Sequence, residues 1–476
     1  MSSSSQARQR INALLDENSF VEIGALVTAR NTDFNLKQED TPSDGVVTGY
    51  GVVDGNLVYV YSQDASVLGG SVGEMHAGKI VRLYDLAIKT GSPVIGLIDS
   101  TGLRLQEATD ALNAFGEIYL KKVEASGVVP QITAIFGSCG GGLALIPSLT
   151  DFTFMESAKA KLFVNSPNAL DGNYKDKLDT SSAKWQSAET GNVDVVADED
   201  TIYAQIRELV SILPSNNEDG DSYQECSDDL NRACENLDGF TADPAMVAGQ
   251  ISDNGLFFET KREYAKEMVT GFIRLNGATV GLVGNRTAIF DENGKETEKF
   301  ADKLTAHACE KAAEFIGFCD AFDIPVLTLT NATGFGASKC DEKHVAKAAG
   351  KLVYALANAT VPKVNIVTGK AFGSAYVIMN SKAIGADVTI SWPDAQIGTM
   401  DANLAAKIIC DGKDAETVSK AAADYAALQN NVKSAAARGY VDEIIEPADT
   451  RKYVIGAFEM LFTKRDERPA KKHGTV

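Results

Sequence analysis

The sequence carries the same series of motifs twice. The stretch Val129–Ile132 (VPQI) reappears 232 positions later as Val361–Val364 (VPKV), and Asp99–Gly102 (DSTG) reappears at the same spacing as Asn331–Gly334 (NATG). With small insertions, the correspondence extends outward to two further pairs of stretches, 47–50 with 269–272 and 191–194 with 439–442. The chain is therefore predicted to hold two versions of one domain, each with a similar site.

A Gly-rich stretch, Gly137–Gly142 (GSCGGG), is the chemically most informative part of the repeat. It follows an apolar run typical of a β-strand, Gln131–Phe136, and leads into a second apolar segment, Leu143–Ile146. A turn between a strand and a helix leaves N–H groups unpaired at the helix N-terminus, where the helix dipole favours negative charge. Such a turn can hold a phosphate or a developing oxyanion, and the second copy has a counterpart, Gly373–Tyr376.

The apolar periodicity predicts an α/β fold. Residues 45–62 are typical of a β-hairpin around Asp54-Gly55, and the apolar strand at 94–98 is separated from the strand at 131 by a helical stretch, 105–123. Strands that alternate with helices and are apolar throughout indicate βαβ crossovers and a parallel sheet. Open sheets of this kind bind ligands at the carboxyl ends of their strands, where both Gly-bearing turns of each copy are expected.

An acidic, polar and weakly periodic stretch begins at residue 214. It separates the two copies and predicts a linker. We therefore divide the chain into an N-terminal domain (1–213), a linker (214–250) and a C-terminal domain (251–476).

The composition restricts the classes of partner. A formal net charge of -20 argues against nucleic acid and against an anionic membrane surface. The seven cysteines form no CxxC pair, no signal peptide is recognisable at the N-terminus, and no apolar run approaches the roughly 20 residues of a membrane span. A cytoplasmic protein without direct membrane insertion is therefore expected. The four histidines include no HExxH motif, and no metal site is predicted.

An oxyanion hole is the chemistry that the glycines favour. Alone, the Gly140–Gly142 run can be explained as a tight turn that needs glycine for steric reasons. With its duplicate, and with Gly102 and Gly334 at neighbouring strand ends, a functional interpretation becomes the better one. Two backbone donors that converge on one carbonyl oxygen stabilise negative charge there, and removal of one such donor costs about 10²- to 10³-fold in rate. The pattern matches neither GxGxxG nor GxxxxGK[ST].

Side chains near the first turn offer weaker alternatives. Cys139 is interpreted as a buried packing residue rather than a nucleophile. Glu107 and Glu117 share one predicted helix, where ion-pair or surface roles compete with general acid/base work. The basic residues Lys79 and Arg104 lie close in sequence to the loops of the first site, where they can meet ligand phosphates or form part of a solvated face.

Longer stretches, distributed in order over nearly the whole chain, carry a resemblance to a known family. In the first copy they are Gly45–Gly51 (GVVTGYG), Ser62–Asp64 (SQD), Gly69–Ser71 (GGS), Asp99–Glu107 (DSTGLRLQE) and Ala125–Gln131 (ASGVVPQ). In the second copy they are Phe318–Pro325 (FCDAFDIP), Ala359–Lys363 (ATVPK), Lys370–Tyr376 (KAFGSAY), Gly385–Asp387 (GAD), Ala436–Asp442 (AARGYVD) and Lys471–Gly474 (KKHG). On these stretches the chain resembles the acyl-CoA carboxyltransferases, the biotin-dependent branch of the crotonase superfamily.

The resemblance implies two crotonase-like domains of the ClpP/crotonase fold, each with one site. In the first, Gly141 and Gly142, with Gly102 beside them, would stabilise the enolate of an acyl-CoA thioester. In the second, Ser374 and Ala375 would hold the ureido oxygen of biotin. The resemblance also implies two sets of binding residues, which are Gly373, Phe372, Gly334 and Phe335 for biotin, and Gly69, Gly70, Ser71, Lys79 and Arg104 for CoA.

The resemblance further implies partners. The sequence contains no Ala-Met-Lys-Met biotinylation motif and no ATP-binding segment, so a separate biotin carboxyl carrier protein is expected. The carrier would be loaded by a biotin carboxylase in a carboxylase complex, or would deliver its carboxyl group to a membrane subunit of a sodium-pumping decarboxylase. Members of the family usually form hexamers. A short-chain acyl-CoA, with propionyl- or methylmalonyl-CoA favoured, is the expected substrate.

The sequence departs from the family pattern at several places, two of them in the second copy, and two other classes of function stay open. The family's Gly-Gly before Ala-Tyr is Gly373-Ser374 here, and its Pro-Gly-Phe-Leu-Pro-Gly loop is replaced by 333–338 (TGFGAS). One alternative is a biotin-independent enoyl-CoA hydratase or isomerase that uses Glu107 or Glu117. Another is a non-catalytic assembly subunit whose second site no longer binds biotin.

Overall fold

The computed structural model describes residues 5–30, 40–219, 222–291, 294–471 and 474. The chain divides into two compact units, Met1–Ser222 and Tyr223–Val476. The predicted linker, 214–250, straddles this division, and its residues 220 and 221 lie outside the described ranges, as do Lys472 and His473 of the C-terminal motif. The exact linker boundaries stay a prediction.

The first unit alternates strands and helices in the order that the sequence predicts. Its strands are β1 Val21–Ile23, β2 Val46–Val53, β3 Asn56–Gln63, β4 Val94–Ser100, β5 Gln131–Gly140, β6 Phe152–Glu156, β7 Lys161–Phe163 and β8 Val195–Ala197. Its α-helices are α1 Gln6–Leu14, α2 Glu74–Thr90, α3 Ala108–Ala125, α4 Asn173–Asp176, α5 Ala183–Trp185 and α6 Glu199–Ile212.

One mixed sheet forms the centre of this unit. Its strand order is β1-β2-β3-β4-β5-β6-β8, with β7 paired to the far end of β5. The β1-β2-β3 part is antiparallel, and the pairs from β3 to β8 are parallel. Helix α2 buries Ile80, Leu83 and Tyr84 in a continuous apolar core with α3 and the strands. The predicted parallel sheet with helical crossovers is confirmed.

The second unit repeats this plan. Its strands are β9 Phe257–Thr260, β10 Met268–Leu275, β11 Ala278–Asn285, β12 Ala288–Phe290, β13 Glu296–Lys299, β14 Val326–Ala332, β15 Lys363–Phe372, β16 Val388–Ser391, β17 Gln396–Gly398 and β18 Glu443–Ile444. Its α-helices are α7 Pro244–Ile251, α8 Ala306–Ala321, α9 Lys339–Asn358, α10 Gly373–Ile378, α11 Ala402–Ile409, α12 Ala415–Tyr425, α13 Val432–Ala437 and α14 Thr450–Leu461.

The second sheet has the same order as the first. It runs β9-β10-β11-β14-β15-β16-β18, with β17 paired to the end of β15 and a separate β12-β13 ribbon. Each sheet begins with a hairpin whose two turn residues have positive φ, 48° and 84° at Asp54 and Gly55 and 51° and 80° at Asn276 and Gly277. This pair of conformations suits Asp-Gly and Asn-Gly, which explains the hairpin signals in the sequence.

An arginine from the last helix of each unit holds the end of the unit's first helix. In the first unit, Arg207 Nη1 donates to the Leu14 carbonyl oxygen at 2.9 Å, and its Nη2 donates to Asp16 at 2.7 Å. In the second unit, Arg451 makes the same two contacts, to the Ile251 carbonyl oxygen and to the carboxylate two residues later, both at 2.6 Å. The duplication thus includes the contacts that join the beginning and the end of each unit.

The last residues of the predicted linker are folded into the second unit. Asp243 caps α7 by accepting a hydrogen bond from the Ala245 N–H, and Val247 and Ile251 on this helix are buried in the core. The acidic composition of the preceding residues concealed this short apolar helix. None of the helices over the described ranges combines the length and apolar character that crossing a bilayer requires.

A repeated glycine in the hairpin strands has a packing reason. A Cβ atom on Gly49 of β2 would overlap the Val21 carbonyl oxygen, and one on Gly271 of β10 would overlap the Phe258 carbonyl oxygen. Both overlaps are with backbone atoms of the neighbouring strand, which cannot turn aside as a side chain can. The glycine is therefore required by the close approach of two backbones.

We predict that Gly49→Ala lowers the free energy of unfolding by at least about 2 kcal/mol, because the added methyl group forces β1 and β2 apart. The control is Gly78→Ala on α2, an exposed position with open space around its Cα, where the exchange should instead stabilise the helix by about 0.5–1 kcal/mol. Denaturant-induced unfolding measures both values. Equal stability of the two variants would contradict the packing argument.

Candidate active site

The first candidate site lies where β4 and β5 end side by side. Ser100 at the end of β4 pairs with Cys139 near the end of β5. Gly141 then has a φ of 62°, a left-handed conformation that favours glycine, and begins a short 3₁₀ helix, Gly141–Leu145. The first N–H groups of a helix have no acceptor within it. The turn therefore presents backbone donors at the carboxyl end of the sheet.

The loop after β4 lies against this turn. A Cβ atom on Gly102, whose φ is 98°, would be 3.4 Å from the Gly140 carbonyl oxygen. The Gly102 carbonyl oxygen accepts a hydrogen bond from the Val72 N–H at 2.8 Å, and the Val72 carbonyl oxygen accepts one from the Arg104 N–H at 2.9 Å. These bonds fix the loop, so the structure brings together the two glycine elements that the sequence places far apart.

The second candidate site has the same backbone design. Gly373 has a φ of 59° and begins α10 directly after β15. The Gly334 carbonyl oxygen accepts a hydrogen bond from the Leu304 N–H at 2.9 Å, and the Leu304 carbonyl oxygen accepts one from the Gly336 N–H at 2.8 Å. Each of these residues lies 232 positions after its counterpart in the first site.

Of the predicted biotin-contacting residues, Phe372, Gly373, Ser374 and Ala375 form this second turn, and Gly334 and Phe335 lie in the loop after β14, whose end pairs with β15. Ser374 and Ala375 are the second and third residues of α10; the Ser374 side chain is exposed and Ala375 is buried. Phe372 is buried and Phe335 is half-buried. Because the Ser374 side chain lies outside the core, the exchange of glycine for serine leaves the backbone of the turn unchanged.

The two turns differ in the position of one aromatic ring. In the first unit, Gly140 of β5 pairs with Phe163 of β7, and a Cβ atom on Gly140 would approach that ring to 2.6 Å. In the second unit the roles are reversed, because Phe372 of β15 pairs with Gly398 of β17. The aromatic residue of the pair thus comes from opposite strands, although the atoms nearest to a Cβ on Gly398 would be those of Asn430. The first turn is consequently the one without side chains of its own.

The N–H of Gly102 is already engaged. It donates to the Ser100 Oγ at 3.1 Å, so this geometry does not support Gly102 as an oxyanion donor. Gly102 instead shapes the loop beside the turn. At the second site the counterpart of Ser100 is Ala332, which has no hydroxyl group, so Gly334 lacks this contact.

Lys79 lies inside the unit rather than on its surface. Its Nζ donates to the carbonyl oxygens of Ser43, at 2.9 Å, and Val46. Lys311, 232 positions later, likewise donates to two backbone carbonyl oxygens at 2.8 Å. Burial lowers the pKa of Lys79 to about 8 and that of Lys311 to about 7. The pair is therefore a repeated structural feature, which weighs against the predicted contact of Lys79 with CoA.

Arg104 is fully buried as well. Its Nη1 lies 2.5 Å from Asp44 Oδ1 and 2.8 Å from Glu107 Oε1, and its Nη2 donates to the Ser71 carbonyl oxygen at 2.8 Å. These partners occupy the guanidinium donors that a CoA phosphate would need. The structure thus makes Arg104 a support of the loop that carries Gly102, and the predicted contact with CoA is not supported.

The predicted CoA-contacting glycines form the other side of this loop. Gly69 and Gly70 both have a φ of 66°, and a Cβ atom on Gly70 would overlap the Asp99 carbonyl oxygen. The Thr101 N–H donates to the Gly69 carbonyl oxygen at 2.9 Å. Their position directly beside the Gly102 loop places them at the site, and contact with CoA stays a prediction.

The remaining candidates from the sequence, Cys139, Glu107 and Glu117, have packing or ion-pair roles in the structure or lie on the surface. Cys139 is fully buried, and burial raises the pKa of its thiol, as expected for a packing residue. Glu107 is held in the ion pair with Arg104. Glu117 is exposed and accepts a hydrogen bond from Asn113 at 3.2 Å. Glu107 and Glu117 therefore do not form a pair of carboxylates suited to general acid/base catalysis.

Two residues that were not expected from the sequence contact the glycine elements, one at the first turn and one at the loop after β14. The Tyr119 hydroxyl donates to the Gly142 carbonyl oxygen at 2.6 Å. The Lys303 Nζ donates to Thr333 Oγ1 at 2.5 Å and lies 3.3 Å from where a Cβ atom on Gly334 would be. Both come from elements that precede their turns by at least 20 residues, and no local motif marks them.

One further difference separates the two units. In the first, the Arg10 guanidinium lies over the Phe136 ring, 4.8 Å from its centroid, and Nη1 binds Asp99 at 3.0 Å. The corresponding residues of the second unit are Asn331 and Thr368, which line a cavity of about 960 Å³. The space that one unit fills with a cation and a ring is therefore open in the other.

Comparison with known proteins decides the family. The model of the carboxyl transferase domain matches residues 3–476, which is nearly the whole chain. The chain belongs to the carboxyl transferase family. The duplicated α/β fold, the two crotonase-like units and the resemblance found in the sequence are thereby confirmed.

Relatives of this carboxyltransferase work in two settings. The chain is 40% identical to the methylmalonyl-CoA decarboxylase subunit alpha of Propionigenium modestum, over 99% of this chain and 92% of that protein. It is also 40% identical to the propionyl-CoA carboxylase beta chain of Roseobacter denitrificans, over 99% and 93%. Among solved structures, transcarboxylase 12S with hydrolysed methylmalonyl-coenzyme A bound matches with a TM-score of 0.90 and 38% identity, over 98% of this chain and 92% of that chain.

A buried histidine supports the first site of the carboxyltransferase. His76 on α2 is fully buried, its Nδ1 lies 2.9 Å from the Asp44 carbonyl oxygen, and its Nε2 lies 3.2 Å from Gln63 Nε2. A neutral ring satisfies both contacts by donating from Nδ1 and accepting at Nε2. Burial lowers the pKa of His76 to about 3.

The buried ring predicts a pH dependence of stability. The histidine has a pKa of about 6.5 in the unfolded state. Between pH 6.5 and 3 the imidazole is therefore protonated in the unfolded state and neutral in the folded state. The stability contributed by the neutral ring is complete above pH 6.5 and should fall by up to about 1.4 kcal/mol per pH unit below it. Denaturant unfolding from pH 7.5 to 4.5 should show a shallower loss for His76→Gln than for the wild type. His344→Gln, at an exposed position, is the control, and identical slopes for all three proteins would contradict the prediction.

Proposed function

We propose that the chain is the biotin-dependent carboxyltransferase subunit that moves a carboxyl group between carboxybiotin on a separate carrier and the α-carbon of a short-chain acyl-CoA. Propionyl- and methylmalonyl-CoA are the favoured pair. The observation that supports this most directly is the presence of two turns of one design, in which Gly141 and Gly373 share the same left-handed φ at the carboxyl ends of equivalent strands. A reaction with two successive oxyanions needs two such sites.

The first unit suits the thioester. The N–H groups of Gly141 and Gly142 would stabilise the oxygen of the thioester enolate, which carries the negative charge while the carboxyl group leaves or joins the α-carbon. Backbone donors are enough for this step, and the surroundings of Glu107 and Glu117 leave no convincing side-chain base beside the turn.

The second unit suits the ureido carbonyl of biotin. The N–H groups of Ser374 and Ala375 lie in the first turn of α10, where the helix has no acceptors of its own. The Lys303 ammonium lies beside Gly334, in the loop that follows the neighbouring strand β14, and 3.9 Å from Asp302 Oδ1. When bound, carboxybiotin would supply the carboxyl group, and the ureido nitrogen that has lost this group would accept the α-proton. Residues of this kind fit a ligand whose oxygen gains negative charge.

Partners follow from this assignment. Transcarboxylase 12S was solved as a hexamer assembly, and we propose a homo-oligomer of the same kind for this chain. A biotin carboxyl carrier protein would visit the second site, and a biotin carboxylase or a membrane decarboxylase subunit would complete the pathway of the carboxyl group. Relatives from both settings are equally similar at 40% identity, so the proposal concerns the transfer step that the two share. A cytoplasmic location remains part of the proposal.

The assay for the proposed function follows propionyl-CoA release from methylmalonyl-CoA by the purified full chain at high free biotin, and is repeated with malonyl-CoA. We expect release that depends on biotin, faster with methylmalonyl-CoA. Turnover of an enoyl-CoA without biotin would instead support a hydratase or isomerase. Binding of CoA without any release, also when a biotinylated carrier is supplied, would support an assembly subunit.

Serine 374 provides a test of the backbone donor. Ser374→Pro removes the N–H at a helical position where proline is tolerated, whereas Ser374→Ala keeps the N–H and removes only the hydroxyl group. We expect about 10²- to 10³-fold lower kcat for Ser374→Pro and nearly unchanged kcat for Ser374→Ala. Thermal unfolding of both variants checks that the fold is kept. A loss with Ser374→Ala as large as that with Ser374→Pro would assign the role to the hydroxyl group instead.

A further inference from the structure

We propose that Tyr119 is a positioning residue for the first oxyanion turn, and that it acts on the acyl-CoA half of the reaction alone. The inference rests on the proposed function and adds a side chain to a site that otherwise consists of backbone. Tyr119 lies on α3, and its hydroxyl donates to the Gly142 carbonyl oxygen at 2.6 Å. This hydrogen bond joins a long, well-packed helix to the peptide group that follows the proposed donors.

The first turn needs an external tether because it has no side chains of its own. Residues Gly140, Gly141 and Gly142 are consecutive glycines, which lose more conformational entropy on ordering than any other residue type. No side chain in this run packs against the core to hold the peptide planes. A hydrogen bond to the Gly142 carbonyl oxygen fixes the orientation of that peptide group and, with it, the direction in which the preceding N–H groups point.

Tyr119 is itself held firmly. Its ring packs against Phe115, with centroids 6.0 Å apart, one turn earlier on α3. Partial burial raises the pKa of the Tyr119 phenol, so the hydroxyl group keeps its proton and stays a donor over the working pH range. The ring contact orients the half-buried side chain, and the retained proton lets it donate to the Gly142 carbonyl oxygen.

The second unit offers an internal comparison. The position equivalent to Tyr119 is Lys351, whose Nζ pairs with Glu310 at 2.8 Å and so turns to another partner. In that unit the turn carries Phe372 and Ser374 where the first has glycines, and the buried Phe372 ring anchors it from within. The tether is therefore found on one turn only, and it is the turn assigned to the thioester.

The tether also explains why position 142 is glycine while position 374 is serine. A Cβ atom on Gly142 would lie 3.0 Å from the Tyr119 hydroxyl oxygen, closer than a carbon and an oxygen normally approach. With lysine at the equivalent position 351, the second turn has no such obstacle. The identities of the two residues in each unit are thus linked through one contact.

The test compares Tyr119→Phe with the wild type in the biotin-dependent release of propionyl-CoA. Phenylalanine keeps the ring and removes only the hydroxyl group. We expect kcat to fall by about 3- to 10-fold, the value of one hydrogen bond, while KM for methylmalonyl-CoA and for biotin stays within twofold. Lys351→Met, the matched change in the second unit, should leave kcat unchanged. An active wild type with an equally active Tyr119→Phe would overturn the inference but leave the proposed function intact.

A second measurement does not depend on turnover. Hydrogen–deuterium exchange of the full chain should show faster exchange in peptides covering 137–146 for Tyr119→Phe, and unchanged exchange in peptides covering 369–378. Unchanged exchange at both turns would overturn the inference even if the wild type released no product.

A double-mutant cycle tests whether Tyr119 and Gly142 are coupled. Gly142→Ala should cost more in kcat when Tyr119 is present than in the Tyr119→Phe background, because the added methyl group displaces the hydroxyl group only where one exists. Strictly additive effects would show that the two residues are not coupled and would also overturn the inference.

Discussion

Both units depend on one backbone conformation, a left-handed glycine directly after the central parallel strand. At Gly141 and at Gly373 the chain must reverse from an extended strand into a helix within a single residue, and a side chain would be strained there. The contacts around the turn hold this reversal of the chain in place. The neighbouring strand end is paired to it, and a second glycine loop is hydrogen-bonded into place beside it, so that a few N–H groups face the same side.

The duplication allows one half of the molecule to explain the other. Away from the two turns, features that the units share, such as the hairpin glycines and the pair Lys79 and Lys311, belong to the fold. Where they differ, as in Tyr119 against Lys351, the difference belongs to a site. Arg104 differs from its counterpart, Gly336, and it supports the loop of the first site through buried ion pairs with Asp44 and Glu107.

Much of the fold was predictable because its signals are local. Asp54-Gly55 marked a hairpin, and apolar runs separated by helical periods marked the parallel sheet. The two turns were predictable because a glycine after a strand indicates a left-handed conformation, and this signal does not depend on knowing which residues are in contact. The surroundings of Lys79 could not be found in this way, because its burial is decided by carbonyl groups more than 30 residues away. Tyr119 was not predicted for the same reason. Its partner is the backbone carbonyl oxygen of Gly142, and a contact with a backbone atom gives no signal in the sequence.

The arginines that hold the first helix of each unit have a consequence for how such a chain can arise. Arg207 and Arg451 each connect the start and the end of their own unit, with two hydrogen bonds across about 190 to 200 residues. Each unit is thus closed by contacts that it carries itself. A gene fusion of two identical ancestors would therefore have needed no new interaction to complete either half.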